Sequence, residues 1–129
     1  VINFFVDGLP VPQGSMKVIN GRVIHNKGSE LAAWRSAIAL TARQKGARPL
    51  TDPMYIHIKF YLPRPKTVKR LHPSVAPDLD KLIRAVLDGL TAIAYVDDGQ
   101  VVSIVAEKAY GERIGADVSI GPRVPEQMF

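Results

Sequence analysis

Between Pro77 and Val102 the sequence PDLDKLIRAVLDGLTAIAYVDDGQVV sets one amphipathic stretch between two groups of aspartates. Leu79, Leu82, Ile83, Val86, Leu87 and Leu90 recur three and four residues apart. The spacing predicts a helix over about 81–91 with one buried face and with Lys81, Arg84, Asp88 and Thr91 on the polar one. Asp78 and Asp80 precede this helix and Asp97 and Asp98 follow it, so any fold that buries its apolar face also fixes where four carboxylates stand. The rest of the chain has the opposite character. Residues 78–98 hold five acids against two bases, whereas residues 1–77 hold twelve bases against three acids. A small carboxylate cluster in a basic protein suits a metal-dependent nuclease: the basic surface collects a phosphate backbone, and the carboxylates hold Mg²⁺ against it.

At 129 residues with 47% hydrophobic side chains, the chain reads as a single domain over 1–129 with enough apolar material for a core. It has no cysteine, which excludes disulfides, thiolate zinc sites and a cysteine nucleophile and fits a cytoplasmic protein. No apolar run approaches the ~20 residues of a membrane span, and the opening VINFFVDG lacks the charged start of a secretory signal. Because the chain starts at Val1, the natural start is expected upstream. A net charge of +5 and a pI near 9.7 favour an anionic partner.

Local pattern predicts the order β, β-hairpin, α, β, α, β, β. Ile2, Phe4 and Val6 alternate along a first strand closed by Gly8 and Pro10, and Asn20-Gly21 between apolar pairs reads as a tight hairpin. Ser29 is placed to cap a helix over about 30–45 whose stripe is Leu31, Trp34, Ile38 and Thr41/Ala42, with Trp34 in the core. Residues 54–62 alternate most cleanly, Ile56, Ile58, Phe60 and Leu62 to one side, Tyr55, His57, Lys59 and Tyr61 to the other. His57 on that polar face reads as solvated. Residues 63–77 carry four prolines, four bases and no acid, a flexible basic loop that is either a linker or a phosphate-gripping flap. Strands over about 100–106 and 117–120 finish the chain, with 121–129 as a tail. The class expected is α+β: a mixed sheet of about five strands with two helices.

Each aspartate has a plain structural explanation. Asp80 is placed to cap the helix and to pair with Arg84, Asp88 to pair with Arg84 one turn away, and Asp97-Asp98-Gly99 to make a turn. Together they suggest more. Asp78 and Asp80, two apart, share a face if their segment is extended, and two such carboxylates need a cation nearby or a raised pKa. Hard carboxylate oxygens suit Mg²⁺, or Mn²⁺, with Asp98 as a further ligand. Of two other motifs, the first is excluded on context and the second is a weak match. Asp78-Leu79-Asp80 lacks the buried strand before it and the Gly-Thr after it of haloacid-dehalogenase-type phosphatases. Pro77-Asp78 lacks the acid-x-Lys half of restriction-type nucleases.

The chain resembles the RusA family of Holliday-junction endonucleases. The resemblance rests on Asp78-x-Asp80, a base at Arg84, Asp88-Gly89-Leu90 and Asp97-Asp98-Gly-Gln-Val-Val, and more weakly on Pro10-Val-Pro-Gln-Gly-Ser with Lys17, Gly21-Arg22 and Lys27. It implies a homodimeric, Mg²⁺-dependent nuclease making paired cuts in four-way DNA junctions. Asp78, Asp80 and Asp98, with Asp97 as an addition, would be its metal-binding aspartates. Arg84 would stand where the family has a lysine important for activity. Two positions depart from the pattern: Lys81 replaces the usual Asn, and Arg84 keeps the charge but cannot readily give up a proton. On this reading Lys17, Arg22, Lys27, Arg64, Lys66, Lys69, Arg70 and Lys81 hold DNA. Asp98 is expected to return beside Asp80 within one chain, the alternative being a site shared across the dimer. The rival readings are a non-catalytic junction-binding dimer of the same fold and a structural dimer whose acids only cap and pair.

Overall fold

The computed structural model describes residues 1–14, 16–19, 22–25 and 28–123. In chain order the elements are β1 (Ile2–Asp7), β2 (Met16–Ile19), β3 (Arg22–His25), α1 (Gly28–Gln44), β4 (Met54–Leu62), α2 (Leu79–Leu90), β5 (Val101–Tyr110) and β6 (Gly115–Pro122). Four strands form one sheet in the order β1-β6-β4-β5, and β2 pairs only with β3. β4 runs parallel to β5 and antiparallel to β6, which itself pairs antiparallel with β1, so the sheet is mixed. The α+β expectation holds. The count of about five strands becomes four in the sheet and two in a separate hairpin, because β2 and β3 pair with each other and with no other strand.

The alternation of β4 decides which face is buried. Met54, Ile56, Ile58, Phe60 and Leu62 are at most 5% exposed, while His57 is exposed and Tyr55, Lys59 and Tyr61 are half-buried. Both helices contribute to the core on the buried side. Leu31, Trp34, Ile38 and Ala42 of α1 and Leu82, Ala85, Val86 and Leu90 of α2 join Phe4, Val6, Val118 and Ile120 from β1 and β6. Gly89 lets the helices approach closely: a Cβ there would stand 3.3 Å from the Arg35 carbonyl and from Ile38. Trp34 is core, as its spacing predicts.

Several boundaries differ from expectation. α2 begins at Leu79, so Asp78 and not Asp80 is its N-cap residue, because the Asp78 carbonyl already accepts from the Lys81 and Leu82 N–H groups. Asp78 and Asp80 therefore do not alternate along an extended segment. β5 reaches Tyr110, since it stays paired with β4 as far as Leu62. Gly121 and Pro122 are not tail residues: they close β6 opposite Tyr55 and Met54. The Asn20-Gly21 turn and residues 124–129 lie outside the described residues.

The largest difference is the exit from α2. The chain does not run back along the helix. Ala92 adopts a positive φ of 66°, its N–H donates to the Tyr95 carbonyl, and Ile93, Ala94 and Tyr95 fold in under the helix end as core. The Tyr95 hydroxyl donates to the Leu87 carbonyl at 2.6 Å, and burial pushes its pKa up. The chain then enters β5 beside the start of β4, with Val101 paired to Met54.

Candidate active site

Asp78 sits in extended backbone at the N-terminus of α2, exposed, and its side chain makes no capping hydrogen bond. The unsatisfied amides of that first turn favour negative charge around it. Asp80, in the same turn, accepts from Lys81 Nζ at 2.8 Å, and this contact holds its carboxyl below the ordinary carboxylate value. Arg84, one turn further, is exposed. Both Lys81 and Arg84 lie against Gly14, where a Cβ would come within 3.1 Å of Lys81 Cδ and 3.4 Å of an Arg84 guanidinium nitrogen. Gly14, at φ +105°, takes a conformation and a closeness that side-chain-bearing residues avoid.

The segment before Gly14 is anchored to α2. Gln13 donates its backbone N–H to the Lys81 carbonyl at 3.0 Å and its side-chain amide to Asp88. Arg35 of α1 donates to the Gln13 side-chain oxygen Oε1 at 3.1 Å and lies 4.0 Å from the Asp88 carboxylate. Asp88 therefore pairs across elements with Gln13 and Arg35, not with Arg84 along its own helix. It belongs to a structural clasp that fixes the entry to the β2-β3 hairpin. Lys17 and Arg22 fall on β2 and β3. Their side chains, and Lys27 altogether, lie outside the described residues.

The basic loop is tied at several points. Arg64 donates to the Leu71 carbonyl at 3.4 Å and lies over the Tyr110 ring, 4.9 Å from its centroid; Arg70 lies 6.0 Å from the same ring. Lys66 and Lys69 are exposed. Lys108 of β5 closes the loop's far end, donating to the Val75 carbonyl at 2.6 Å and the Pro77 carbonyl at 2.8 Å. It thereby sets the backbone immediately before Asp78. Sequence reasoning missed Lys108 and Gln13, whose partners are 22 to 75 residues away in the chain.

Asp97 and Asp98 stand elsewhere. Asp97 caps a short 3-10 helix (Asp98–Gln100), accepting from the Gly99 N–H at 2.9 Å, while the Gln100 side chain accepts from the Asp97 N–H at 2.9 Å. The Gln100 amide also donates to the Leu50 and Asp52 carbonyls, stapling this turn to the entry of β4. Asp97 is thus engaged in holding the turn, and the Asp97-x-x-Gln100 spacing is the signal that announces it. Asp98 is left exposed.

These positions separate the acids into two groups. Asp78 lines one cleft with Leu62 and Tyr110, the last residues of β4 and β5, whereas Asp98 leads into Val101, which pairs with the first residue of β4. The nine-residue strand between them is about 26 Å long. Among the described residues no group of three or more His, Asp or Glu side chains is gathered closely enough to hold a metal ion. The oxygen donors have the right chemistry for Mg²⁺, but one chain does not bring the expected three together. The expected return of Asp98 beside Asp80 is not what the fold does.

A model of the family described as endodeoxyribonuclease RusA matches residues 7–121. The chain belongs to the RusA family. It is also 32% identical over 136 aligned positions to the uncharacterized protein YqaN of Bacillus subtilis (strain 168), an alignment that spans 92% of this chain and 94% of that protein. The RusA match runs from the last residue of β1 to the penultimate residue of β6 and takes in every aspartate discussed above, and the family's activity is endonucleolytic cleavage of DNA. No described helix is long and apolar enough to cross a membrane.

Proposed function

We propose that this RusA-family chain acts as a Mg²⁺-dependent homodimer that resolves four-way DNA junctions by paired strand cuts. Each site would combine Asp78 and Asp80 of one copy with Asp98 of the other. The observation that carries this reading is the placement of the acids at opposite ends of α2 in a chain whose family cleaves DNA. Two copies packed with their α2 helices antiparallel would bring the N-terminal acids of each beside the Asp98 turn of the other. Exposed and half-buried apolar side chains support such packing. β5 is an edge strand with Val102 63% and Ile104 42% exposed, Val96 is 55% exposed, and Leu79, Ile83 and Leu87 form a half-buried stripe along α2.

In that site the carboxylates of Asp78, Asp80 and Asp98 would hold the ion, which activates water and offsets charge on the scissile phosphate. Arg84, exposed beside them and held against Gly14, grips phosphate as a fixed cation and does not move protons. Lys81 releases Asp80 as phosphate or metal approaches. The bases Arg64, Lys66, Lys69 and Arg70, with Lys17, Arg22 and Lys27, hold the arms. On this reading the chain works in the cytoplasm, where junction-bearing DNA is found.

One observation favours a second reading. Lys81, where the family carries Asn, ion-pairs with a carboxylate that the metal needs. A copy that keeps this pair binds junctions without cutting them. Incubation with a labelled synthetic four-way junction separates the two. Symmetrical nicks in Mg²⁺ that vanish in EDTA are expected; junction binding with no nicks in Mg²⁺ or Mn²⁺ selects the binding dimer.

A further inference from the structure

Beside Asp78 lies an open cleft of about 710 Å³ that the phosphate-gripping residues leave unfilled. Leu9, Pro10, Leu62, Pro63, Val75 and Tyr110 are among the residues that line it. Arg70, Lys81 and Asp78 stand among the apolar residues that line it. Its size falls within the ~300–1,000 Å³ of small-ligand sites. We propose that this cleft receives a nucleobase swung out of the helical stack at the branch point, which makes Tyr110 and Leu9 specificity-determining residues. The inference rests on the junction-nuclease reading and names the part of the substrate that the site reads.

The chemistry of the cleft matches a nucleotide on three counts. Apolar proline and leucine surfaces and one aromatic ring suit the faces of a flat heterocycle. Arg70, itself on the cleft, lies 6.0 Å from the Tyr110 ring centroid and Arg64 lies 4.9 Å from it, so cationic charge for the attached phosphates stands beside the ring. Asp78 on the same cleft places the nucleotide next to the carboxylates that would hold the metal. The wall is preformed, because Lys108 fixes the Val75 and Pro77 carbonyls.

The geometry also accounts for selectivity. Extracting a base from an intact duplex costs the most, and extracting one that has already lost a stacking neighbour costs the least. A branch point supplies such bases and an unbroken duplex does not. A cleft that must be filled before the phosphate reaches Asp78 therefore turns branched structure into a condition for cutting.

The test uses junctions carrying 2-aminopurine at successive positions around the branch point, bound in EDTA so that no strand is cut. With the wild-type chain, fluorescence should rise at a position adjoining the cut. Tyr110→Ala should abolish the rise and weaken junction binding about 10-fold, and Tyr110→Phe should retain both. Leu9→Glu changes a residue that is 52% exposed, so it keeps the fold and should also abolish the rise. An abasic nucleotide at the responsive position should erase the binding difference between wild type and Tyr110→Ala. Tight junction binding with no rise anywhere, or a rise that survives both Tyr110→Ala and Leu9→Glu, overturns the base pocket and leaves the nuclease reading intact. Failure to bind junctions at all overturns the reading beneath it.

Discussion

Asp78 and Asp80 are two residues apart, yet among the described residues only Asp80 has an ion-pair partner: Lys81 sits on Asp80, while the Asp78 side chain makes no capping bond at the helix N-terminus. Asp78→Asn, Asp80→Asn and Asp98→Asn should each remove nearly all cleavage of a four-way junction while binding persists, since the amide is nearly isosteric but a poor Mg²⁺ ligand. Asp88→Asn tests the opposite role. It should leave the chemistry in place and lower stability by about 1 kcal/mol, read as a shift in the urea midpoint, because Asp88 meets Gln13 and Arg35 rather than the site. Tyr95 supplies a pH dependence. Its phenol is held neutral by burial while the unfolded chain ionises near pH 10, so the unfolded state binds fewer protons above that value. Stability should fall as pH rises beyond about 10, and Tyr95→Phe should lose part of that decline while costing about 1 kcal/mol at neutral pH. At this scale the aspartates and the capping spacing of Asp97 and Gln100 are legible in the sequence. Gln13 and Lys108 are not, because each acts on backbone or carboxylate far along the chain, and no local pattern encodes such a contact.

Among the elements, β4 and both helices follow directly from their periodicity, since one face of each must be buried. The segment after α2 does not. Nothing in Thr91-Ala92-Ile93-Ala94-Tyr95 marks a reversal: it has no glycine or proline, and Ala92 is driven to positive φ by the gain from burying Ile93, Ala94 and Tyr95 under the helix end. That burial, a tertiary effect, places Asp98 away from Asp80. The loop over 63–77 is readable as exposed and basic, but not as a wall of a cleft pinned by Tyr110 and Lys108. Replacing Arg64, Lys66, Lys69 and Arg70 with alanine should weaken binding to any DNA and lower the log–log salt slope by about 0.9 for each phosphate that is no longer neutralised. An unchanged slope would return the loop to the status of a linker.

For the whole molecule, the question is whether a site needs two chains. Asp80→Asn and Asp98→Asn subunits, each inactive alone, should regain nicking of one junction strand when unfolded and reannealed together, because each mixed dimer then carries one intact site. Persistent inactivity of the mixture would place all three acids in one chain despite their separation along β4. The wild-type chain should elute as a dimer in size-exclusion chromatography and Ile104→Lys, at a 42% exposed position, as a monomer without cleavage, with the cooperative thermal transition of the fold retained. The length of α2 then takes on a second meaning. Twelve residues of helix measure about 18 Å, and in an antiparallel pair that length also sets the spacing of the two centres. One rigid rod would thus act as a gauge for the distance between coordinated incisions, and a lone subunit would hold half of each centre and no whole one. Activity would then depend steeply on concentration, and a newly made chain would be harmless to the chromosome until it met a second.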